Sequence, residues 1–192
     1  MVKKIMEQFN LQAFTSSPSN LPKSAYVDLL LFISNMKPAI RIGVLDDARA
    51  LQLFQWATEF GYFSKIDDSG FVFVSKVNNV EHLIQVDQSY LDHTEELGKL
   101  FGYPSCCIKS ISEVGESNID SYEKNIVYNW HFENDFQLIN PKLYYQGCSL
   151  ISHIPCSPTC IRSLYIAQKV LSIVKKNKSH YLFSNFKQWL SY

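Results

Sequence analysis

The chain has 192 residues, 46% hydrophobic and 19% charged, with thirteen Phe, eleven Tyr and three Trp. This composition excludes disorder and collagen-like repeats, and the length suffices for one domain whose core needs no disulfide staples. Eighteen Lys and Arg balance eighteen Asp and Glu, so composition gives no case for a nucleic acid or an anionic membrane as partner.

Residues 1–24 open on MVKKIMEQF and break into the Ser/Pro stretch TSSPSNLPKS. They read as a weakly ordered segment or a lone helical turn. A single domain over 1–192 follows from the length, with a sheet-plus-helix part over 25–88 and a helical, cysteine-bearing part over 89–192. The start lacks the apolar run of a signal peptide, and the longest apolar stretch, Val27 to Ile33, is far shorter than the roughly 20 residues that span a bilayer. With an odd number of cysteines, the expectation is a cytoplasmic protein in a reducing compartment, with no membrane partner.

Ile40 to Val44 (IRIGV) predicts a strand. Asp46 or Asp47 can cap a helix in which Ala50, Leu53, Phe54 and Ala57 follow the i, i+3, i+4, i+7 rule, with Gly61 as its stop. Tyr62 to Ile66, the turn Asp67-Asp68-Ser69-Gly70 and Phe71 to Lys76 form a β-hairpin, and His82 to Val86 (HLIQV) predicts another strand. Helices are expected from Ser89 to Gly102, from Ser105 to about Val114 and from Pro158 to about Lys176. A final amphipathic piece spans Tyr181 to Leu190. Residues 115–150 read as mixed, irregular or strand. The separation of strands from helices points to an α+β fold, a small and mostly antiparallel sheet in the N-terminal half and a helical C-terminal half that carries the cysteines.

Four of five cysteines fall in two clusters, Gly102-Tyr103-Pro104-Ser105-Cys106-Cys107 and His153-Ile154-Pro155-Cys156-Ser157-Pro158-Thr159-Cys160. Each stands where a helix should begin, and the unpaired N–H groups of a first turn favour thiolates. Ser157 as N-cap and Pro158 as first helical residue would put Cys160 in the first turn. A Cys106–Cys107 disulfide would be strained, and side chains diverging by about 100° on a helix predict that one of the pair, with a slight preference for Cys106, joins a given ion. Cys156, Cys160, His153 and one of Cys106 or Cys107 then form a Cys₃His set that suits zinc, while three cysteines with a displaceable fourth position suit an iron–sulfur cluster.

Plain packing is the competing account. Cys160, Leu164, Ala167, Leu171 and Val174 form an apolar stripe, and Cys107, Ile111 and Val114 form another. Cys148 reads as a packing residue. His93 with Glu96 could support the site from outside or form a solvated face, His131 reads as a partly buried histidine, and His82 and His180 have no companions. Walker, GxGxxG, HExxH and GxSxG motifs are absent from the sequence.

The pairing of GYPSCC with HIPCSPTC, followed by Ser163 and an amphipathic helix, resembles an uncharacterised prokaryotic domain family marked by GYPxCC and a later HxPCSxxC, over roughly residues 90–175. The resemblance implicates Gly102, Tyr103, Pro104, Cys106, Cys107, His153, Pro155, Cys156 and Cys160, and implies no activity. Three functions stay open. The first is a cytoplasmic zinc or iron–sulfur protein, a reading that extends to a small metalloenzyme, using Cys106, Cys107, His153, Cys156 and Cys160. In the second, a thiol enzyme or redox protein, Cys106 or Cys107 attacks and Cys156 or Cys160 resolves. The third is a non-catalytic partner-binding module in which the cysteines only pack.

Overall fold

The computed structural model describes residues 10–44, 46–129 and 138–177. Its sheet has three antiparallel strands in the order β1-β3-β2, with β1 at Ala39–Gly43, β2 at Phe63–Ile66 and β3 at Phe71–Ser75. In the β2–β3 turn, Asp67 Oδ1 accepts from the N–H groups of Ser69 and Phe71 at 3.0 and 2.7 Å, which closes the predicted hairpin. Ile40 pairs with Val74 and Ile42 with Val72, so these four side chains share one face. Arg41 pairs with Phe73 and Gly43 with Phe71, which places the aromatic rings on the other face.

The valine and isoleucine face belongs to the larger core, with helices α2 (Lys23–Ile33), α3 (Asp47–Glu59) and α8 (Ile161–Asn177). α2 is apolar almost all round and is buried accordingly, from Val27 to Ile33. Asp46 caps α3 as predicted, its Oδ1 accepting from the N–H of Arg49 at 2.9 Å. The N-terminal stretch, expected to be weakly ordered or a lone turn, contains a short helix, α1 (Leu11–Thr15), with Ala13 and Phe14 fully buried. Trp56 fastens it by donating Nε1–H to the Ala13 carbonyl at 2.8 Å.

The opposite face of the sheet carries a smaller core around Phe73, covered by α4 (Val80–Asp87), with Phe101 just after α5 (Thr94–Leu100). Here the predicted strand at His82 to Val86 is overturned. Val80, Leu83 and Ile84 recur at helical spacing and pack beside Phe73, a period that the pentapeptide HLIQV is too short to reveal. Among the described residues three strands remain where four were expected. The helix predicted from Ser89 begins at Thr94, because Asp92 Oδ1 accepts from both the N–H and the Oγ–H of Thr94, at 3.0 and 2.6 Å, and folds the preceding residues into a turn.

Two glycines then set the approach to the first motif. A Cβ on Gly98 would stand 2.9 Å from Ile108 Cγ1, so α5 lies tight against α6 (Ser105–Val114). Gly102 has φ +73°, and a Cβ there would come 2.5 Å from Pro38 Cδ. The chain reverses between α5 and α6 against Pro38, which brings the vicinal cysteines beside the sheet. Within the described part of residues 115–150 lie a 3₁₀ turn at Glu116–Asn118, helix α7 (Ile119–Asn129) and a second 3₁₀ turn at Pro141–Leu143. Tyr181 to Leu190, His131 and His180 lie outside the described residues. The fold is α+β, with its strands in the N-terminal half. Among the described residues no helix is long and apolar enough to cross a membrane.

Candidate functional site

Cys106 and Cys107 stand at the second and third positions of α6, which starts after Pro104. Cys156 and Cys160 sit on the turn-rich approach to α8, which begins at Ile161 and not at Pro158. Cys160 is therefore the capping residue and lies outside the first turn, its carbonyl accepting from the N–H of Leu164 at 2.9 Å. The four sulfurs all lie within 4.8 Å of one another. Cys106 to Cys107 is 3.9 Å, Cys106 to Cys160 is 3.8 Å and Cys107 to Cys160 is 3.7 Å.

The expectation that only one of the vicinal pair reaches a shared point does not hold for this geometry. The 100° divergence applies to Cα–Cβ bonds, and rotation about χ1 brings the two sulfurs back together. His153, expected beside the sulfurs, is not in the group of four. Its Nε2 lies 2.9 Å from Ser163 Oγ, and that hydroxyl donates to Cys160 Sγ at 3.3 Å. A hydroxyl has one proton, so His153 carries its proton on Nε2 and donates to Ser163, which passes a hydrogen bond on to sulfur. Burial, helped by the Lys37 charge, pushes His153 down to about 3, so its ring is neutral.

The thiols are not equivalent. Burial pushes Cys107 well above the usual thiol range, although the N–H of Cys156 opposes it, and the thiol lies 3.5 Å from Ser163 Oγ, whose proton is committed to Cys160. Cys156 is raised to about 11 by burial and by its hydrogen bonds with Cys160 and Cys106. At Cys160 burial also acts upward, but hydrogen bonds from the hydroxyl and N–H of Ser163 and from the other thiols outweigh it and bring the group down to about 7. Ser163, fully buried, is thus the organising neighbour of this site. Arg162 Nη1, beside it in sequence, donates to Ser105 Oγ and ties the starts of α6 and α8 together.

A cavity of about 330 Å³ opens beside the sulfurs, with Cys107, Tyr103 and His153 in its wall. Its lining holds a buried charged pair, in which Lys37 Nζ donates to Asp28 Oδ1 at 2.7 Å and to Ser152 Oγ at 2.9 Å. The side chains of this pair are 5% and 4% exposed. Burial works against the ammonium charge, but Asp28 and Tyr103 more than compensate and raise its pKa. Tyr144 donates its hydroxyl to Asp28 Oδ2, and the Lys37 Nζ stands 5.2 and 5.1 Å from the ring centroids of Phe101 and Tyr103. Arg41, paired with Asp87, lines the same space.

Sequence reasoning missed this network because its members are scattered over more than a hundred positions. One local signal existed: Asp28 interrupts the apolar run VDLLLFI, where a carboxylate needs a buried partner. Other expectations fall away from the sulfurs. Glu96 lies 3.0 Å from His82 Nε2 and 3.5 Å from His93 Nδ1, so these three form a surface group, and His82, expected to have no companion, has one. Cys148 stands apart, its thiol donating to the Gln146 carbonyl at 3.3 Å.

A family model described as protein of unknown function (DUF483) matches residues 73–187. The match takes in both cysteine motifs and leaves out Asp28, Lys37 and Arg41. No curated protein and no solved structure matches the chain.

Proposed function

The chain belongs to the DUF483 family of proteins of unknown function, and from the site itself we propose that it is a cytoplasmic protein that holds one tetrahedral zinc ion through Cys106, Cys107, Cys156 and Cys160. The sulfur spacing supports this most strongly. With Zn–S bonds of about 2.3 Å, a tetrahedron has S···S edges of about 3.8 Å. Three sulfurs here are separated by 3.7, 3.8 and 3.9 Å. An iron–sulfur cluster spreads its thiolates over several irons, so sulfurs on different irons stand farther apart than two on one ion. The compact group therefore suits a single ion.

Four thiolates complete a tetrahedron and leave no open position, so the ion's role is structural. It joins the start of α6 to the approach of α8, while Ser163 and the N–H of Cys156 donate to the sulfurs and keep them in place. His153 acts from outside, orienting Ser163. Elemental analysis of anaerobically purified protein tests the proposal. About one zinc per chain, lost in Cys156→Ser and Cys160→Ser, supports it, and less than about a tenth of an equivalent of zinc or iron in wild type refutes it.

A thiol redox protein is the second reading, favoured by Cys160, whose pKa near 7 sits 3.7 Å from Cys107 Sγ. Oxidised glutathione would then convert the two thiols to a disulfide, yielding two reduced glutathiones and no net proton change. Titrating metal-free protein against glutathione redox buffers and mapping the bridge by mass spectrometry decides it: no Cys107–Cys160 link at any ratio excludes this reading.

A further inference from the structure

The cavity beside the sulfur group has a lining of two chemistries. One part of the lining is Lys37, Arg41 and Tyr103. Lys37 and Arg41 are each matched by one carboxylate, Asp28 and Asp87. Lys37 is neutralised by Asp28 and stands 5.1 Å from the Tyr103 ring centroid, and the phenol hydroxyl is the donor that Tyr103 brings to the lining. Arg41 spends one nitrogen on Asp87 and keeps further N–H donors. This part of the lining therefore offers Arg41 N–H groups held by the buried Asp87 carboxylate, and the Tyr103 hydroxyl.

Glu116, Asp120 and Glu123 form another part of the lining. They stand at i, i+4 and i+7, on one side of the turn that leads into α7 and of α7 itself. Among the described residues no Lys, Arg or His forms an ion pair with any of them. Glu123 is half-buried, and burial together with the Asp120 charge raises its pKa. Like charges held together at the edge of a cavity favour a cation between them. The five carboxylates of the lining exceed its two fixed cations, Lys37 and Arg41, by three.

From this lining we infer that the cavity binds a small zwitterion of the amino-acid class, its ammonium against Glu116, Asp120 and Glu123 and its carboxylate against Arg41 and the Tyr103 hydroxyl. The volume of about 330 Å³ lies at the small end of ligand cavities, which limits the occupant to one small metabolite. A simple amine would leave the donors unused, and a simple carboxylate would meet the acidic residues. The inference does not depend on the bound ion, although Cys107 touches the cavity and links the two sites.

Isothermal titration of the full chain, with metal content measured on the same sample, tests it. The probes are 4-aminobutyrate, 5-aminopentanoate and 6-aminohexanoate, each beside the amine and the carboxylate of equal length. At least one amino acid should bind about tenfold or more tighter than both of its single-charge analogues. Asp120→Asn with Glu123→Gln should remove that advantage by weakening the zwitterion about tenfold, while the thermal midpoint stays, since both side chains are at the edge. Tyr103→Phe should weaken the amino acid and spare the amine. The inference is overturned if none of the nine compounds binds below about 10 mM, if the amine matches the amino acid, or if the double variant binds the amino acid as wild type does. Binding without metal would sink the zinc proposal alone, and metal without binding would sink this inference alone.

Discussion

The region around α2 and the sheet and the region between Gly102 and Cys160 are held by different forces. In the first, Leu29, Leu30, Phe32, Ile40, Leu53 and Val74 are all at most 1% exposed and pack on one another. In the second, the buried aliphatic side chains among the described residues are Ile108, Ile126, Ile139, Leu150 and Ile151, and the last three reach into the larger core. The second region instead converges on four sulfurs, a buried serine and the Lys37–Asp28 pair. Where apolar burial is thin, directional bonds to a few atoms set the structure, and those atoms can be removed one at a time.

The sharpest way to break this comparison is to remove a sulfur. Cys160→Ser should destabilise the protein on the order of 5 kcal/mol, a fraction of the roughly 10–16 kcal/mol that structural zinc supplies to small metal-dependent domains. Chelation of the wild type should reproduce the loss, and hydrogen exchange should localise it to α6 and the start of α8. Leu53→Ala, in the apolar region, should cost roughly 3 kcal/mol with the metal content unchanged. If chelation loosened both regions equally, the division between them would be wrong.

A smaller loss is expected at the buried ion pair. Lys37→Met leaves Asp28 as an uncompensated carboxylate held by Tyr144, and denaturant unfolding should show a cost of about 3–5 kcal/mol. Lys37→Met combined with Asp28→Leu should recover much of it. A double variant no better than the single one would mean that the pair's other hydrogen bonds matter more than its charges.

How much of this was visible in the amino-acid order differs between the regions in the same way. The hairpin, the Asp46 cap and α6 could be read because each is encoded by neighbours: a turn tetrapeptide, a capping side chain, a proline before a helix. The joining of GYPSCC to HIPCSPTC was also legible, since each motif concentrates one kind of ligand. The strand assigned to His82 to Val86 failed because the residue that reveals its helical period, Val80, lies outside the run and the partner, Phe73, is on another element. His153 was placed among the sulfurs by proximity in sequence, whereas packing against Tyr103, 5.3 Å between centroids, turns it toward Ser163. The Asp28–Lys37–Tyr144 network spans 116 positions between its ends, and its one local trace is Asp28 within the apolar run of α2.

The acid limb of the stability curve gives a more modest test. His153 is pushed down to about 3 in the folded protein against an ordinary value near 6.5, so the unfolded chain binds more protons between those values. The stability that comes from keeping this ring neutral is complete above about pH 6.5 and declines as pH falls toward 3. His153→Gln preserves an N–H donor for Ser163 but cannot take up the proton, so its stability should fall less steeply than wild type between pH 6.5 and 4. Identical slopes would remove His153 from the account. The smallest effect belongs to Cys148→Ser, which should shift stability by less than about 0.5 kcal/mol and leave the metal in place.

The central claim is that four sulfurs, and not three with His153, surround one ion. X-ray absorption at the zinc edge of the purified protein addresses it directly. The account predicts four sulfur scatterers at about 2.3 Å and no imidazole shell, unchanged in His153→Gln. Three sulfurs with one nitrogen at about 2.0–2.1 Å, lost in that variant, would contradict it.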